Sequence, residues 1–470
     1  MLAFRKHHGK SLMLLVVAAA LVPALLTSSP DAEAFGQPPK TGGFVHFDAH
    51  VKHLHQAKHE HYKDRPGVKV ASAAHFNEMK AHLLSMYKDL KVTHTFIGHD
   101  GHHVDVVAID KQPSLRHPLL KNHKLQRTPP APRAQPKLGK GKAQPVTPNH
   151  VPPHLAPGMK DKHGHAMYSP AGTIAIRRLT LDELTKFRTL KDYLKKHASA
   201  PKPNANHKIQ KPELVDSGGY THRYAHASQT VDNFGGSSWL NLWSPTPADG
   251  QFSLCQHWYT GGAPLQTVEG GWQVYPAKYG HNKPVLFIYW TADNYNQTGA
   301  YNLESPGFIQ VNNSFVIGGA WNTISSDGGT QWGFRLAWYR DPATGNWWLY
   351  IQGAGDLTAI GYYPRELYGN GQLSRFATGI DYGGEVTGQP NSAGKVYTGR
   401  MGSGAPAGSG WQHAAFQKEI YHFPTGGNSA WADLTGSADT DKSYTVDVHN
   451  QSSDPSNWGT YFFFGGPGGY

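Results

Sequence analysis

The chain predicts a mainly β protein: an antiparallel, jelly-roll-like β-sandwich over residues 217–470, preceded by a smaller α+β leader domain. Three observations carry this expectation. From Gly218 onward short alternating runs recur, at 285–290, 332–338 and 347–351, separated by Asp-Gly, Gly-Gly, Gly-Asn and Asn-Gly steps. Alternation with period two buries one face of a strand, and those dipeptides favour tight hairpin turns. No long helical period interrupts them, and many short strands with glycine-rich turns close as a sandwich or barrel. The composition also divides at the same place. Residues 1–216 carry 33 Lys+Arg against 16 Asp+Glu and 22 of the 29 histidines, whereas 217–470 carry 11 against 17 and all 13 tryptophans.

The elements follow in order. Arg5, Lys6 and Lys10 precede an apolar run at 12–26, and Ala32-Glu33-Ala34 offers a small-residue cleavage site before Phe35. That pattern reads as an export signal over 1–34, too short to span a bilayer as an anchor, and it predicts a secreted, extracellular protein. Residues 35–126 form the α+β part of the leader. Phe76, Met79, Leu83, Met86, Tyr87 and Leu90 recur at helical spacing, and the alternating runs 92–97 and 104–109 flank Gly98-His99-Asp100-Gly101-His102 as a β-hairpin. Residues 127–164 are dominated by Pro, Lys, Ala and Gly and read as a flexible or polyproline-like linker. Residues 165–216 hold a strand, a second helix and the processing region. That helix begins at Thr180 with a capping box and carries Leu181, Leu184, Phe187, Leu190, Tyr193 and Leu194 as its stripe. It should fade at Lys195-Lys196-His197, and cleavage is expected between Lys196 and Gly219.

Charge and cysteine content exclude several classes. The net charge of +11 would suggest nucleic acid or an anionic surface, yet the formal +17 of the leader against −6 for the remainder describes neither half. A basic leader lying on an acidic domain of the same chain is the simpler account, with no nucleic-acid partner and no stable membrane association once the signal is removed. A single cysteine, Cys255, excludes an intramolecular disulfide and a Cys-rich zinc site. In its alternating run it reads as a small buried residue rather than a thiol nucleophile.

Chemistry points to two glutamates, Glu269 in Val268-Glu269-Gly270-Gly271-Trp272 and Glu385 in Gly383-Gly384-Glu385-Val386. Each sits beside paired glycines, which admit close backbone approach, in a half of the chain that is otherwise poor in charge. An exposed loop carboxylate is the bland alternative for either one.

These residues carry a resemblance. The stretches 267–276, 289–293, 301–303, 345–349, 361–364, 383–386, 401–404 and 461–468 resemble the neprosin family of secreted glutamic peptidases. Residues 110–124 and 172–178 resemble that family's activation peptide. The resemblance implies a β-sandwich catalytic domain with catalytic glutamates at Glu269 and Glu385. It also implies a leader acting as intramolecular inhibitor, and peptide or protein substrates, with a prolyl endopeptidase preference known for the namesake. Plant members carry cysteines where this chain has Ser169, Ala300 and Glu304, so their disulfides are absent here.

Two close carboxyls split their titrations, so one ionised group can activate water while the protonated one donates to the carbonyl oxygen or the leaving amine. Such a single-proton dyad favours acid pH and needs no cofactor and no metal. Which glutamate is the base is left open by the sequence. Gln256 is a candidate oxyanion donor and Trp272 a candidate apolar wall for substrate. The leader's histidines gain charge as pH falls, which predicts acid-triggered release and self-processing. A β-sandwich glycoside hydrolase and a non-enzymatic carbohydrate- or protein-binding module are the alternative readings. A binding module has no need of a long leader, and the carboxyl separation would tell a glycoside hydrolase.

Overall fold

The structure, a computed structural model, describes residues 43–140, 155–196 and 221–469, apart from 249, 354, 391–394, 440–442 and 454. The expected export signal and the processing region beyond Lys196 lie outside these residues. Among the described residues no helix is long and apolar enough to cross a membrane.

Among the described residues the leader holds two helices, α1 (Phe47–Gln56) and α2 (Ala73–Tyr87), which pack on each other, and a three-stranded antiparallel sheet. Its strands are β1 (Val92–Ile97), β2 (His103–Ala108) and β3 (Thr173–Arg177), in that order across the sheet. Helix α2 begins where Ser72 Oγ accepts the His75 N–H at 3.3 Å, and it buries Phe76, Met79, Leu83, Met86 and Tyr87 as their spacing predicts. Helix α1 was not anticipated, because one of its three buried positions (Phe47, His50, Leu54) is a histidine and the stripe reads as polar.

The second leader helix is a correction. Two short helices form instead of one: α3 (Leu181–Leu184) and α4 (Leu190–Leu194), each with its own capping box, Thr180 with Glu183 and Thr189 with Asp192. Between them Thr185 O accepts the N–H groups of Lys69 and Val70 at 2.7 and 3.1 Å, and Arg188 O accepts that of Ala71 at 2.9 Å. A start signal in mid-stripe and carbonyls engaged by another segment leave no continuous ladder. The proline-rich stretch after the leader's α+β part is described over only part of its length. Its described part, 127–140, lies against the large domain, where Pro130 O accepts from Tyr350 Oη at 2.5 Å and Lys137 O from Trp431 Nε1 at 3.1 Å. Extended proline-rich backbone has no internal hydrogen bonds, so its carbonyls are available to neighbours.

Among its described residues the second half forms one curled antiparallel sheet of 15 strands. The strands that matter below are β4 (Thr221–Asn241), β5 (Ser253–Gly261), β6 (Gln266–Val274), β7 (Val285–Thr291), β8 (Ile309–Gln310), β9 (Gly333–Arg340), β10 (Trp347–Gln352), β11 (Thr358–Tyr363) and β12 (Ala377–Pro390). Their path is β7-β6-β5-β12-β4-β9-β10-β11-β8. Strand β4 pairs β12 along 221–233 and then β9 along 235–241, so the sheet folds over on this one long strand. Between the layers lie Cys255, Tyr259, Val268, Trp272 and Ile288 with Trp338 and Trp347. The opposite face of β5 and β7 presents Leu254, Trp258, Phe287 and Tyr289, and the leader covers it with Leu179, Leu181, Leu184, Phe187 and Tyr193. Strands β5, β6 and β7 are buried along their whole length, and burial on both faces is why β7 reads as a near-continuous apolar run.

Candidate active site

Strand parity sets which side chains meet. Glu385 of β12 pairs with Leu254 of β5, and Trp258 of β5 pairs with Glu269 of β6. Leu254, Gln256 and Trp258 therefore share one face with both glutamates, the face under the leader. The glycines beside the glutamates serve close packing. A Cβ on Gly271 would lie 2.0 Å from Cys255 O, and one on Gly384 would lie 2.6 Å from Met401 Sδ and from Phe464 Cε2.

At the centre stands a lysine of the leader. Lys196 Nζ is 2.7 Å from Glu269 Oε2 and 2.9 Å from Glu385 Oε2, and all three side chains are fully buried. The ammonium is aligned as a hydrogen-bond donor on Glu269, whereas Glu385 Oε2 receives it as an ion pair without that alignment. The ring of Trp258 lies 5.0 Å from Nζ. One residue back, Lys195 Nζ donates to the carbonyls of Gln297, Thr298 and Gly299 at 2.8, 2.5 and 3.0 Å. Two successive lysines thus fasten the end of α4 into the site.

The two carboxylates are held differently. Glu269 Oε1 accepts from Tyr295 Oη at 2.6 Å and from Thr267 Oγ1 at 2.8 Å, and its Oε2 accepts from Gln256 Nε2 at 3.3 Å. Those three donors are uncharged. Glu385 Oε1 lies 2.7 Å from His222 Nδ1 and accepts from Tyr224 Oη at 3.4 Å. Burial alone would raise the Glu385 pKa, but the Lys196 charge and the His222 contact outweigh it and hold it below the usual carboxylate value. Burial would likewise discharge Lys196, and the charges of Glu269 and Glu385 instead raise its pKa. Tyr224 and Tyr295 are pushed up by burial and by the adjacent carboxylates, so both remain proton donors.

The structure brings together three of the four residues singled out from sequence: Glu269, Glu385 and Gln256. Trp272 is a correction. Three residues from Glu269 on a strand, it points to the opposite face, where it is fully buried and donates Nε1–H to Asn241 O at 2.9 Å. The tryptophan that shares the face of both glutamates is Trp258. Sequence reasoning missed Lys196, His222, Tyr224, Thr267 and Tyr295. Thr267, two residues before Glu269 on the same strand face, carried a usable parity signal; Tyr295 and His222 arrive from distant segments. Glu304 is structural: it pairs with Lys278 at 2.6 Å. Cys255 faces the inter-layer core, where burial raises its thiol pKa and Gln417 Nε2 donates to Sγ at 3.1 Å.

A β-sheet domain whose buried carboxyl pair is closed by a basic residue of its own leader has the build of a latent hydrolase. The profile described as Neprosin matches residues 249–467, and that described as Neprosin activation peptide matches residues 95–228. The chain belongs to the neprosin family, and it is a peptidase with an intramolecular leader. Among solved structures it is similar to scytalido-glutamic peptidase bound to a peptide-based transition-state analogue, with 11% identity and a TM-score of 0.30 over 53% of this chain and 99% of that one. It is also similar to SCP-B, an eqolisin-family peptidase in complex with the tripeptide Ala-Ile-His, with 8% identity and a TM-score of 0.27 over the same shares. The assignment rests on the family match rather than on these two likenesses.

Proposed function

We propose that this chain is the precursor of a secreted glutamic endopeptidase, in which Glu269 and Glu385 activate water and Lys196 keeps the pair idle until the leader leaves. One observation carries the reading: a single buried ammonium touches both carboxylates on a sheet face that the leader covers. A lysine there holds the place of the attacking water and ties both glutamates into ion pairs, leaving no carboxyl free to donate a proton.

With Lys196 withdrawn, the pair becomes asymmetric. Glu385 keeps His222 on Oε1, a partner able to carry positive charge, whereas Glu269 keeps only the neutral Tyr295, Thr267 and Gln256. Glu385 is then the ionised base and Glu269 the acid. Water between them attacks the scissile carbonyl as Glu385 takes its proton, and Gln256 Nε2 donates to the oxyanion. Glu269 delivers its proton to the leaving nitrogen as the C–N bond breaks, giving a carboxyl and an amine. A preference for bonds beside proline is carried over from the namesake of the family, and Trp258 is the ring placed to receive an apolar substrate group.

Activation by acid follows from the same contacts. Protonating the glutamates removes both ion pairs to Lys196, and the leader's buried histidines favour release as they charge. The test is the purified precursor at pH 3 to 4 beside Glu269→Gln and Glu385→Gln, with chain length and cleavage of a proline-containing peptide followed by mass spectrometry. Wild type should shorten and cleave, and each variant should lose at least ~10³-fold in kcat/KM, the scale of an acid–base group. Equal cleavage by all three would overturn the dyad.

A further inference from the structure

A second cluster of ionisable groups lies away from the dyad, where the leader hairpin meets the large domain. Asp100 and His102 come from the turn between β1 and β2, and His281 from the segment before β7. His102 Nδ1 is 3.3 Å from Asp100 Oδ1, His281 Nε2 is 3.9 Å from Asp100 Oδ2, and the three ligand atoms all lie within 4.8 Å of one another. The Asp100 side chain is only 4% exposed. His102 Nδ1 and His281 Nε2 are both buried without a hydrogen-bond partner.

We infer that Asp100, His102 and His281 form a binding site for a divalent transition-metal ion of the zinc type, which pins the leader to the catalytic domain. Two imidazoles and one carboxylate are the donor set of such ions rather than of calcium or magnesium. Bonds of about 2.0–2.1 Å in a tetrahedral site put ligand atoms about 3.4 Å apart, so one edge already fits and the others close by an ångström or so. A second carboxylate completes the arrangement. Glu183 Oε1 lies 3.2 Å from His102 Nε2, on the far side of the ring, as an ion-pair partner whose charge favours a proton on that nitrogen and leaves the Nδ1 lone pair toward Asp100. Glu183 is itself paired with Arg177, so Asp100 supplies the ligand charge at the site. Binding through His281 Nε2 places the proton on Nδ1 and gives up only a 3.2 Å contact from the Lys283 N–H. The ligands come from both sides of the interface, so the ion adds a cross-link between them. A lysine makes another nearby: Lys283 Nζ donates to His99 O of the hairpin at 3.0 Å and to Asn322 Oδ1 at 2.8 Å.

The test needs no peptidase activity and stands apart from the dyad reading. The full precursor carrying Glu269→Gln is titrated with zinc chloride at neutral pH by calorimetry, beside the same chain with His281→Asn and with His102→Asn. Other leader histidines also take up zinc, so the readout is a difference. The parent should bind one equivalent more than either variant, and its melting temperature should rise with zinc by several degrees more than theirs. Cobalt(II) in place of zinc should give the visible d–d band of a four-coordinate N/O site in the parent and lose it in His281→Asn. Identical isotherms for all three chains, or no cobalt band that depends on His281, would overturn the site.

Discussion

Glu269 and Glu385 are equivalent in sequence and different in their surroundings. His222 lies 2.7 Å from Glu385, while the hydroxyls of Tyr295 and Thr267 converge on Glu269. His222→Asn should therefore lower kcat and move the acid limb of the pH–rate profile upward, since Glu385 loses a partner that favours its ionised form. A fall in kcat with an unmoved limb would show that His222 serves packing alone. Tyr295→Phe removes a 2.6 Å donor from Glu269 and should shift the other limb instead. Trp272 belongs to stability. Fully buried between the layers, it should cost about 3–5 kcal/mol on replacement by Ala, read from denaturant unfolding of the precursor.

The short helix α4 is the device that delivers the lysine. Its Thr189 accepts the Asp192 N–H at 3.1 Å, and the Asp192 side chain returns to the Thr189 N–H at 3.1 Å, so the turn leading to Lys195 and Lys196 starts at a defined residue. Thr189→Ala should loosen that turn by about 1 kcal/mol, seen as faster hydrogen exchange over 190–196 with the leader sheet unchanged. Lys196→Met acts further downstream. Removing one partner of a buried ion cluster costs about 3–5 kcal/mol, so the variant precursor should process at a higher pH than wild type. An unchanged processing pH would remove Lys196 from the latch.

At the scale of the molecule, docking of the leader is linked to protons with a definite sign. Glu385 is held below its usual value of 4.5, so its contribution is full above that value and is lost as pH falls through the lowered one. His82 Nε2 lies 2.8 Å from Glu304 O and feels Glu78, and His117 sits edge-on to Trp290. Burial lowers both below 6.5, so each leaves docking unaffected above that pH and opposes it as acid charges the undocked ring. Inside the leader, His50 is pushed down to about 3 by burial and by the charge of Arg178, which acts in the same direction. Release measured by gel filtration of the Glu269→Gln precursor should thus begin below about pH 6 and steepen below about 4.5. A leader still bound at pH 3 would overturn the linkage.

How much was legible follows from the range of each signal. Alternation and turn dipeptides gave the β class, and helical spacing gave α2, because both are written within a dozen residues. The paired glycines located the glutamates, because close backbone approach leaves a local mark. Helix α1 was hidden by a buried histidine, and the break between α3 and α4 by carbonyls engaged from 69–71. Lys196, His222 and Tyr295 lie 73, 163 and 26 residues from the carboxylates they serve, and no local pattern encodes such pairs. The sequence by itself determined a two-part chain with a β second half and drew attention to two glycine-flanked glutamates, since composition and period are local properties. Only the tertiary structure decided which face the glutamates share, what distinguishes them and what occupies the space between them, because strand register and leader docking set those distances across the whole chain.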